Sequence, residues 1–326
     1  MSDRVVDLDN PLAAATIRAA RTLIHPAFVA SPQWVSDALS ERAGVDVIVK
    51  VEGTNPIGAF KGRGTWLAIR RMVEAGEVGD GRGVVVASTG NFGQAAAFAG
   101  RAFGVPITVY AGVDANSLKL GRIRRFGANV VQEGSDFDEA RVAAERHAAA
   151  SGDVLLVDGE DPWVATGAGT LAVELTDGAE ADQLPQLHTA FVPVGNGALI
   201  VGVGAWLKQA APGVRVVGVQ SDRAPSMTLS WREKRPIETE KADTWAGGLA
   251  TRVPVPEALE LMEGRVDDMV LVSDDALRAA QSELTSAIGV TVEGGGAASW
   301  AAILEARDSL SGPVLVLVTG SNAEQR

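Results

Sequence analysis

Four short segments place chemically useful residues at glycine-rich turns. The first reads Lys50-Val-Glu-Gly-Thr-Asn-Pro-Ile-Gly-Ala-Phe-Lys61-Gly-Arg-Gly. Asn55-Pro56 and Gly58 call for a turn, after which Phe60 and Lys61 open a helix with apolar Leu67, Ile69, Met72 and Val73. A lysine in a first helical turn meets the positive end of the helix dipole, which disfavours an ammonium there. The neutral amine is the form that attacks a carbonyl to make a Schiff base. An ordinary solvated lysine is the plain alternative. The second segment, Ser88-Thr-Gly-Asn-Phe-Gly-Gln94, offers backbone amides and the Ser88, Thr89 and Asn91 side chains to a carboxylate or a ring oxygen. Its plain alternative is a strand-to-helix turn capped by Thr89 or Asn91. The third, Val194-Gly-Asn-Gly-Ala-Leu199, can cradle a phosphate on free amides alone, since no Lys or Arg lies between Phe191 and Trp206. Its spacing matches neither GxGxxG nor GxxxxGKS, so a dinucleotide fingerprint is not supported, and a tight turn is again the alternative. The fourth, Val318-Thr319-Gly-Ser-Asn322, ends in a hydroxyl that can hydrogen-bond a ring nitrogen without charging it, or is simply a polar strand end.

The elements that must hold these segments alternate. Short apolar runs at 47–51, 83–88, 107–111, 129–132, 154–157, 190–194, 214–219, 269–272 and 314–318 read as strands. Between them, the stretch after the glycine-rich 89–93 that runs through 103, then 117–126, 137–150, 166–175, 198–211, 274–288 and 297–307, read as helices, with Gly127 placed to close the second. Continuous apolar strands alternating with helices predict parallel sheets wrapped on both faces, an α/β architecture. The polar stretch 222–266, with Pro225, Pro236, Pro254, Pro256, Trp231 and Trp245, reads as irregular cover near a site or a subunit contact. Lys119, Arg122, Arg124 and Arg125 read as a solvated basic face, and Trp206 and Trp300 as core.

Composition removes several function classes. Of 326 residues 46% are hydrophobic, enough for a sizeable core and against disorder as the main state. The net charge of −12 opposes nucleic acid and anionic lipid as partners. No cysteine is present, so disulfides, thiolate metal sites and cysteine nucleophiles are out. His25, His147 and His188 are too few for a multi-histidine metal centre, and no metal is expected. The acidic start Met1-Ser-Asp-Arg does not read as a signal peptide, and no apolar run nears the ~20 residues of a membrane helix. A cytoplasmic protein is expected.

The four segments, in this order, resemble the fold-type II pyridoxal-phosphate (PLP) enzymes, in particular the threonine/serine dehydratase and serine racemase branch. That branch has a pattern like K-x-E-x-x-N-P-x-G-x-F-K-x-R-G, matched at 50–64, S-x-G-N-x-x-Q at 88–94, P-V-G-G-G-G-L at 193–199 and S-G-G-N at 319–322; stretches 122–134 and 167–174 match as well. The resemblance implies two three-layer α/β/α domains with mostly parallel twisted sheets, the smaller (81–154) inserted in the larger PLP-binding domain (1–80 and 155–326). It implies that Lys61, next to Phe60, holds the cofactor as a Schiff base and acts as general base. Asn91 would contact the ring hydroxyl, Gly195, Asn196, Gly197 and Ala198 would cradle the phosphate with Leu199 closing the turn, and Thr319 would face the ring nitrogen. Ser88, Thr89, Gly90, Asn91 and Phe92 would hold the substrate carboxylate, with Thr89 at the position of the racemases' second base.

The departures from that pattern are specific. Asn196 and Ala198 stand where the branch has glycine, Phe92 replaces a histidine, and Thr89 replaces the serine base. Gln220 falls where many relatives place a metal-binding glutamate, and the sequence given ends just after the ring-nitrogen motif, so no regulatory domain is expected beyond it. The implied activity is an ammonia-lyase (dehydratase) of the EC 4.3.1 type. It would eliminate water from a 3-hydroxy amino acid such as threonine or serine to give a 2-oxo acid and ammonia. A neutral hydroxyl at the ring nitrogen favours prompt loss of a β-substituent over aminotransfer. β-Replacement as in cysteine or cystathionine synthases, amino acid racemisation and a degenerate non-catalytic PLP fold remain the alternatives. The expected partners are a small amino acid substrate and a second copy of the chain in a homodimer.

Overall fold

Among the described residues, ten strands sort into two sheets. In chain order they are β1 (Gln33–Val35), β2 (Val47–Val51), β3 (Val84–Ala87), β4 (Ile107–Ala111), β5 (Asn129–Gln132), β6 (Val154–Leu155), β7 (Thr189–Pro193), β8 (Arg215–Ser221), β9 (Asp268–Val272) and β10 (Val314–Val318). The computed structural model describes residues 10–178 and 181–323. The acidic N-terminal stretch through Asp9, and the outermost ends of the expected large domain, lie outside the described residues. One sheet has the order β1-β2-β10-β7-β8-β9 and the other β5-β4-β3-β6. All pairings are parallel except β1 with β2. Every residue of β2, β7 and β10 is buried, as continuous apolar strands covered on both faces require.

The helices are α1 (Ala14–Ala20), α2 (Asp37–Ala43), α3 (Lys61–Glu74), α4 (Asn91–Phe103), α5 (Ser117–Arg125), α6 (Phe137–Ser151), α7 (Pro162–Thr176), α8 (Ala198–Ala210), α9 (Ser226–Glu233), α10 (Pro256–Met262), α11 (Asp274–Ile288) and α12 (Ala298–Ala306). Side chains cap the starts that matter: Asp136 for α6, Asp161 for α7 and Ser273 for α11 each accept from a first-turn N–H. Trp206 and Trp300 are fully buried, as read from the sequence.

Three expectations are corrected. The 222–266 stretch is not irregular throughout: α9 buries Ser226, Met227, Thr228 and Ser230, and α10 starts on Pro256, whose fixed φ and missing N–H suit a first helical position. Helix α7 opens at Pro162 rather than at Thr166, for the same reason. Strand β6 stops at Leu155, so residues 156–158 leave the sheet instead of extending it to 157.

Beneath β2, α3 and α7 lies a buried ionic cluster. Arg63 donates to Glu52 (2.8 and 2.9 Å) and to Glu174 (2.8 and 3.0 Å), and Lys50 donates to Glu174 at 2.7 Å. All four side chains are at most 1% exposed. The neighbouring cations hold the Glu174 carboxyl down at about 2 against its burial, while burial pushes Lys50 below the usual lysine range. The cluster ties the start of α3 to β2 and α7, and so fixes where Lys61 emerges.

Candidate active site

Lys61 is the first residue of α3, and Phe60 precedes it as N-cap. The Phe60 N–H donates to the Thr319 carbonyl at 3.0 Å, and the Ser321 N–H donates to the Gly58 carbonyl at 2.9 Å. The first and fourth motifs, far apart in the chain, therefore lie against each other at the C-terminal ends of β2 and β10. Asn322 brings in the second motif: its Nδ2 donates to the Ile57 carbonyl (2.7 Å) and to Asn91 Oδ1 (2.8 Å).

Asn91 sits at the start of α4 with its amide engaged at both ends. Its Nδ2 donates to both carboxylate oxygens of Glu293 at 3.0 Å while Oδ1 accepts from Asn322. Glu293 is raised above the usual carboxylate range by burial, which the Asn91 hydrogen bond opposes. Arg122 donates to Asn322 Oδ1 at 2.9 Å. The basic helix 117–125 is thus not only a solvated face: Arg122 reaches from α5 to the C-terminal motif.

Ser88 is buried, and its Oγ accepts from the N–H groups of Gly90 (3.2 Å) and Gly93 (3.0 Å), which caps α4. Thr89, Gly90 and Asn91 are half-buried beside it, and Phe92 is buried. The rings of Phe60 and Phe92 have centroids 4.7 and 5.9 Å from Lys61 Nζ.

The third motif reaches Lys61 through a dipeptide the sequence reading passed over. Asp158 Oδ2 is 2.6 Å from Lys61 Nζ. Its neighbour Gly159 has φ +96°, and a Cβ there would lie 2.3 Å from the Asn196 carbonyl oxygen. Asp158-Gly159 is pressed between the lysine and the 195–199 turn. A warning was present in the sequence: Asp158 follows an apolar run and precedes a glycine, the strand-end pattern shared by the other three motifs.

The turn itself fits an anion. The N–H groups of Gly195, Asn196, Gly197, Ala198 and Leu199 find no backbone acceptor among the described residues, and they open α8 at its positive end. Gly197 has φ +100°, where only glycine is at ease, and a Cβ on Gly195 would come 2.5 Å from the Gly248 carbonyl oxygen. The two replaced glycines fall elsewhere: neither Asn196 nor Ala198 has a positive φ. Asn196 turns its side chain away to accept from Thr251 Oγ1 at 3.1 Å, so its substitution leaves the amides of the turn available. A cavity of 280 Å³ borders Asp158 and Asn196, with Thr251, Leu155 and Ala87 also in its wall. An amine, an amide cradle for a phosphate and the buried Thr319 hydroxyl together suit pyridoxal phosphate.

Gln220 is fully buried and accepts from the Thr228 N–H and hydroxyl at 3.0 Å.

The family described as pyridoxal-phosphate dependent enzyme matches residues 24–320. An L-threonine ammonia-lyase from Thermotoga maritima is 36% identical over 289 residues, covering 89% of this chain and 70% of the relative. Among solved structures, the processed threonine deaminase isoform 2 of Solanum lycopersicum superposes with a TM-score of 0.86 at 28% identity, covering 98% of this chain and 91% of the other. Maize serine racemase superposes with a TM-score of 0.88 at 25% identity, covering 96% and 94%.

Proposed function

The chain belongs to the pyridoxal-phosphate-dependent enzyme family, and on that premise we propose that it is an ammonia-lyase acting on a small 3-hydroxy amino acid, threonine or serine. The substrate first loses water, and the enamine so formed takes water back up on hydrolysis, so that overall a 2-oxo acid and ammonia are released. The observation that carries the reading is the junction at Asp158-Gly159, where the Lys61 amine and the 195–199 amide cradle meet. When bound, the cofactor supplies the carbonyl that takes up amines and the sink for the electron pair left as the Cα–H bond breaks.

The protein's residues do the rest. Lys61 Nζ is the base that receives the Cα proton. Its position is set by the buried cluster under α3. The amides of 195–199 grip the phosphate by dipoles alone. Thr319 offers a neutral hydroxyl to the ring nitrogen and leaves it without a full charge, which favours rapid departure of the β-hydroxyl over aminotransfer. The Thr89 hydroxyl, the amides after Ser88 and the Phe92 ring frame the substrate carboxylate. The 222–266 segment contributes Ala250, Thr251, Arg252 and Val253 to the cavity wall. Similarity to the T. maritima and S. lycopersicum proteins supports threonine as substrate.

We further propose a unit of residues 81–154, built on the four-stranded sheet, inserted in a larger unit (1–80 and 155–326), and a cytoplasmic homodimer. Among the described residues no helix is long and apolar enough to cross a membrane. The test is reconstitution with PLP followed by a panel of β-substituted amino acids scored for ammonia and 2-oxo acid. A yellow protein whose colour is lost in Lys61→Ala, with 2-oxo acid released from threonine or serine, is the expected result. A wild type that stays colourless, or one that is coloured but forms thioethers from activated serine faster than it releases 2-oxo acid, overturns the assignment.

A further inference from the structure

Asp158 carries more than a structural tie. Its Oδ2 engages Lys61 Nζ at 2.6 Å, while its Oδ1 is buried with no hydrogen-bond partner among the described residues. A buried carboxylate oxygen left without a donor is costly unless something else supplies one. The carboxylate also borders the 280 Å³ cavity, so that second donor can arrive from there. We infer that Asp158 is the amine-handling carboxylate of this site: Oδ2 holds the nitrogen of Lys61, and Oδ1 receives an N–H of the substrate amino group that replaces it. This rests on the functional reading above and names a positioning residue for it.

The physical case is a balance of charge. Lys61 stands at the positive end of α3, which opposes an ammonium, and Asp158 opposes that effect from the other side at contact distance. When Lys61 takes a proton from the substrate Cα, a Cα–H bond breaks, an N–H bond forms, and the new positive charge appears on the atom that Asp158 faces. The pair from the Cα–H bond would become the Cα=Cβ bond as the Cβ–O bond breaks, and the β-hydroxyl would leave with its own pair and a proton as water. A partner that favours the charged form of Lys61 would assist the proton transfer. Other charges around the pair are accounted for. Glu293 interacts electrostatically with both Lys119 and Lys61. Across the cavity, Asp138 is paired with Arg252, Arg141 with Glu145, and Asp136 caps α6. Asp158 is the carboxylate in contact with the lysine nitrogen.

The experiment compares wild type with Asp158→Asn, Asp158→Ala and Asp158→Glu. In the PLP-loaded protein the visible absorbance is titrated against pH. In the cofactor-free protein, labelling of Lys61 by an acylating reagent is followed against pH by mass spectrometry. Asp158→Asn, which keeps shape and removes the charge in contact with Lys61, is expected to move both midpoints down. It should also lower kcat by about 10- to 100-fold and raise the substrate KM. Asp158→Glu should recover part of the midpoint shift and Asp158→Ala none. Wild-type midpoints and kcat in Asp158→Asn would overturn the inference. So would a uniform loss of urea stability and cofactor uptake across the variants with the labelling midpoint unmoved, since that marks a structural tie only. Failure of the functional reading shows separately, as a wild type without colour or turnover, and the labelling arm still decides whether Asp158 governs the Lys61 nitrogen.

Discussion

Replacing Glu174 by glutamine tests the buried cluster that positions α3. In the wild type Lys50 and Arg63 face Glu52 and Glu174, two cations against two anions, all but sealed from water. Glu174 accepts two hydrogen bonds from Arg63 and one from Lys50. Arg21 adds a more distant contact at 3.6 Å from the rim. Glutamine preserves size but leaves one excess buried positive charge, and its NH₂ group turns a donor toward other donors. Breaking a buried pair in this way costs about 3–5 kcal/mol. Urea unfolding at neutral pH should show that loss in the midpoint with little change in slope. The double variant Lys50→Met/Glu174→Gln removes the excess cation and leaves Arg63 paired with Glu52, so it should recover a substantial part of the stability. A single variant within about 1 kcal/mol of wild type, or a double variant no better than the single, would refute the reasoning.

Four further outcomes follow from the same structure. Glu174 titrates at about 2 in the folded chain against an ordinary 4.5, so below pH 4.5 the unfolded chain binds a proton that the folded one does not. The Glu174 contribution should be flat above pH 5 and fall by up to about 3 kcal/mol as pH drops toward 2, a loss that Glu174→Gln no longer shows in acid titrations of urea midpoints. Glu293 is shifted the other way by burial, so its charge is a burden that appears as pH rises through the carboxylate range; Glu293→Gln should raise the melting temperature at pH 7 relative to wild type and not at pH 4. Gly195→Ala would drive a methyl to 2.5 Å from the Gly248 carbonyl oxygen and should weaken PLP uptake at least tenfold in an absorbance titration, with a cost to folding of about 1–3 kcal/mol. Arg122→Ala removes the donor that orients Asn322, and a resulting rise in the threonine KM, with cofactor affinity unchanged, would show that the Asn322–Asn91 contact shapes the substrate side of the site.

The strands, the glycine turns and the lysine were legible because the signals are local. Apolar runs such as 314–318 and 47–51 set strand positions, and glycine, proline and polar caps set the turns that follow. The first-turn position of Lys61 and the open amides of 195–199 could be read for the same reason. The charged residues of the first motif were visible as a pattern, but their purpose was not. Lys50, Glu52 and Arg63 need Glu174, more than a hundred residues later, before they form a cluster.

What tertiary structure alone decided is which charged group meets which. Asp158 is 97 positions from Lys61, Glu293 is 202 from Asn91, and Asn322 is 200 from Arg122. No periodicity connects such pairs, because their meeting depends on how two sheets stack and on where each strand end points. The same packing shows why side chains fit at Asn196 and Ala198: the positive φ falls on Gly197 and the close backbone approach on Gly195. The sequence by itself determined the main alternation of strands and helices outside 222–266, the cofactor-type motif set and the lysine. The folded chain determined the electrostatic company that lysine keeps, since Coulomb partners act through space and the chain order carries no record of that distance.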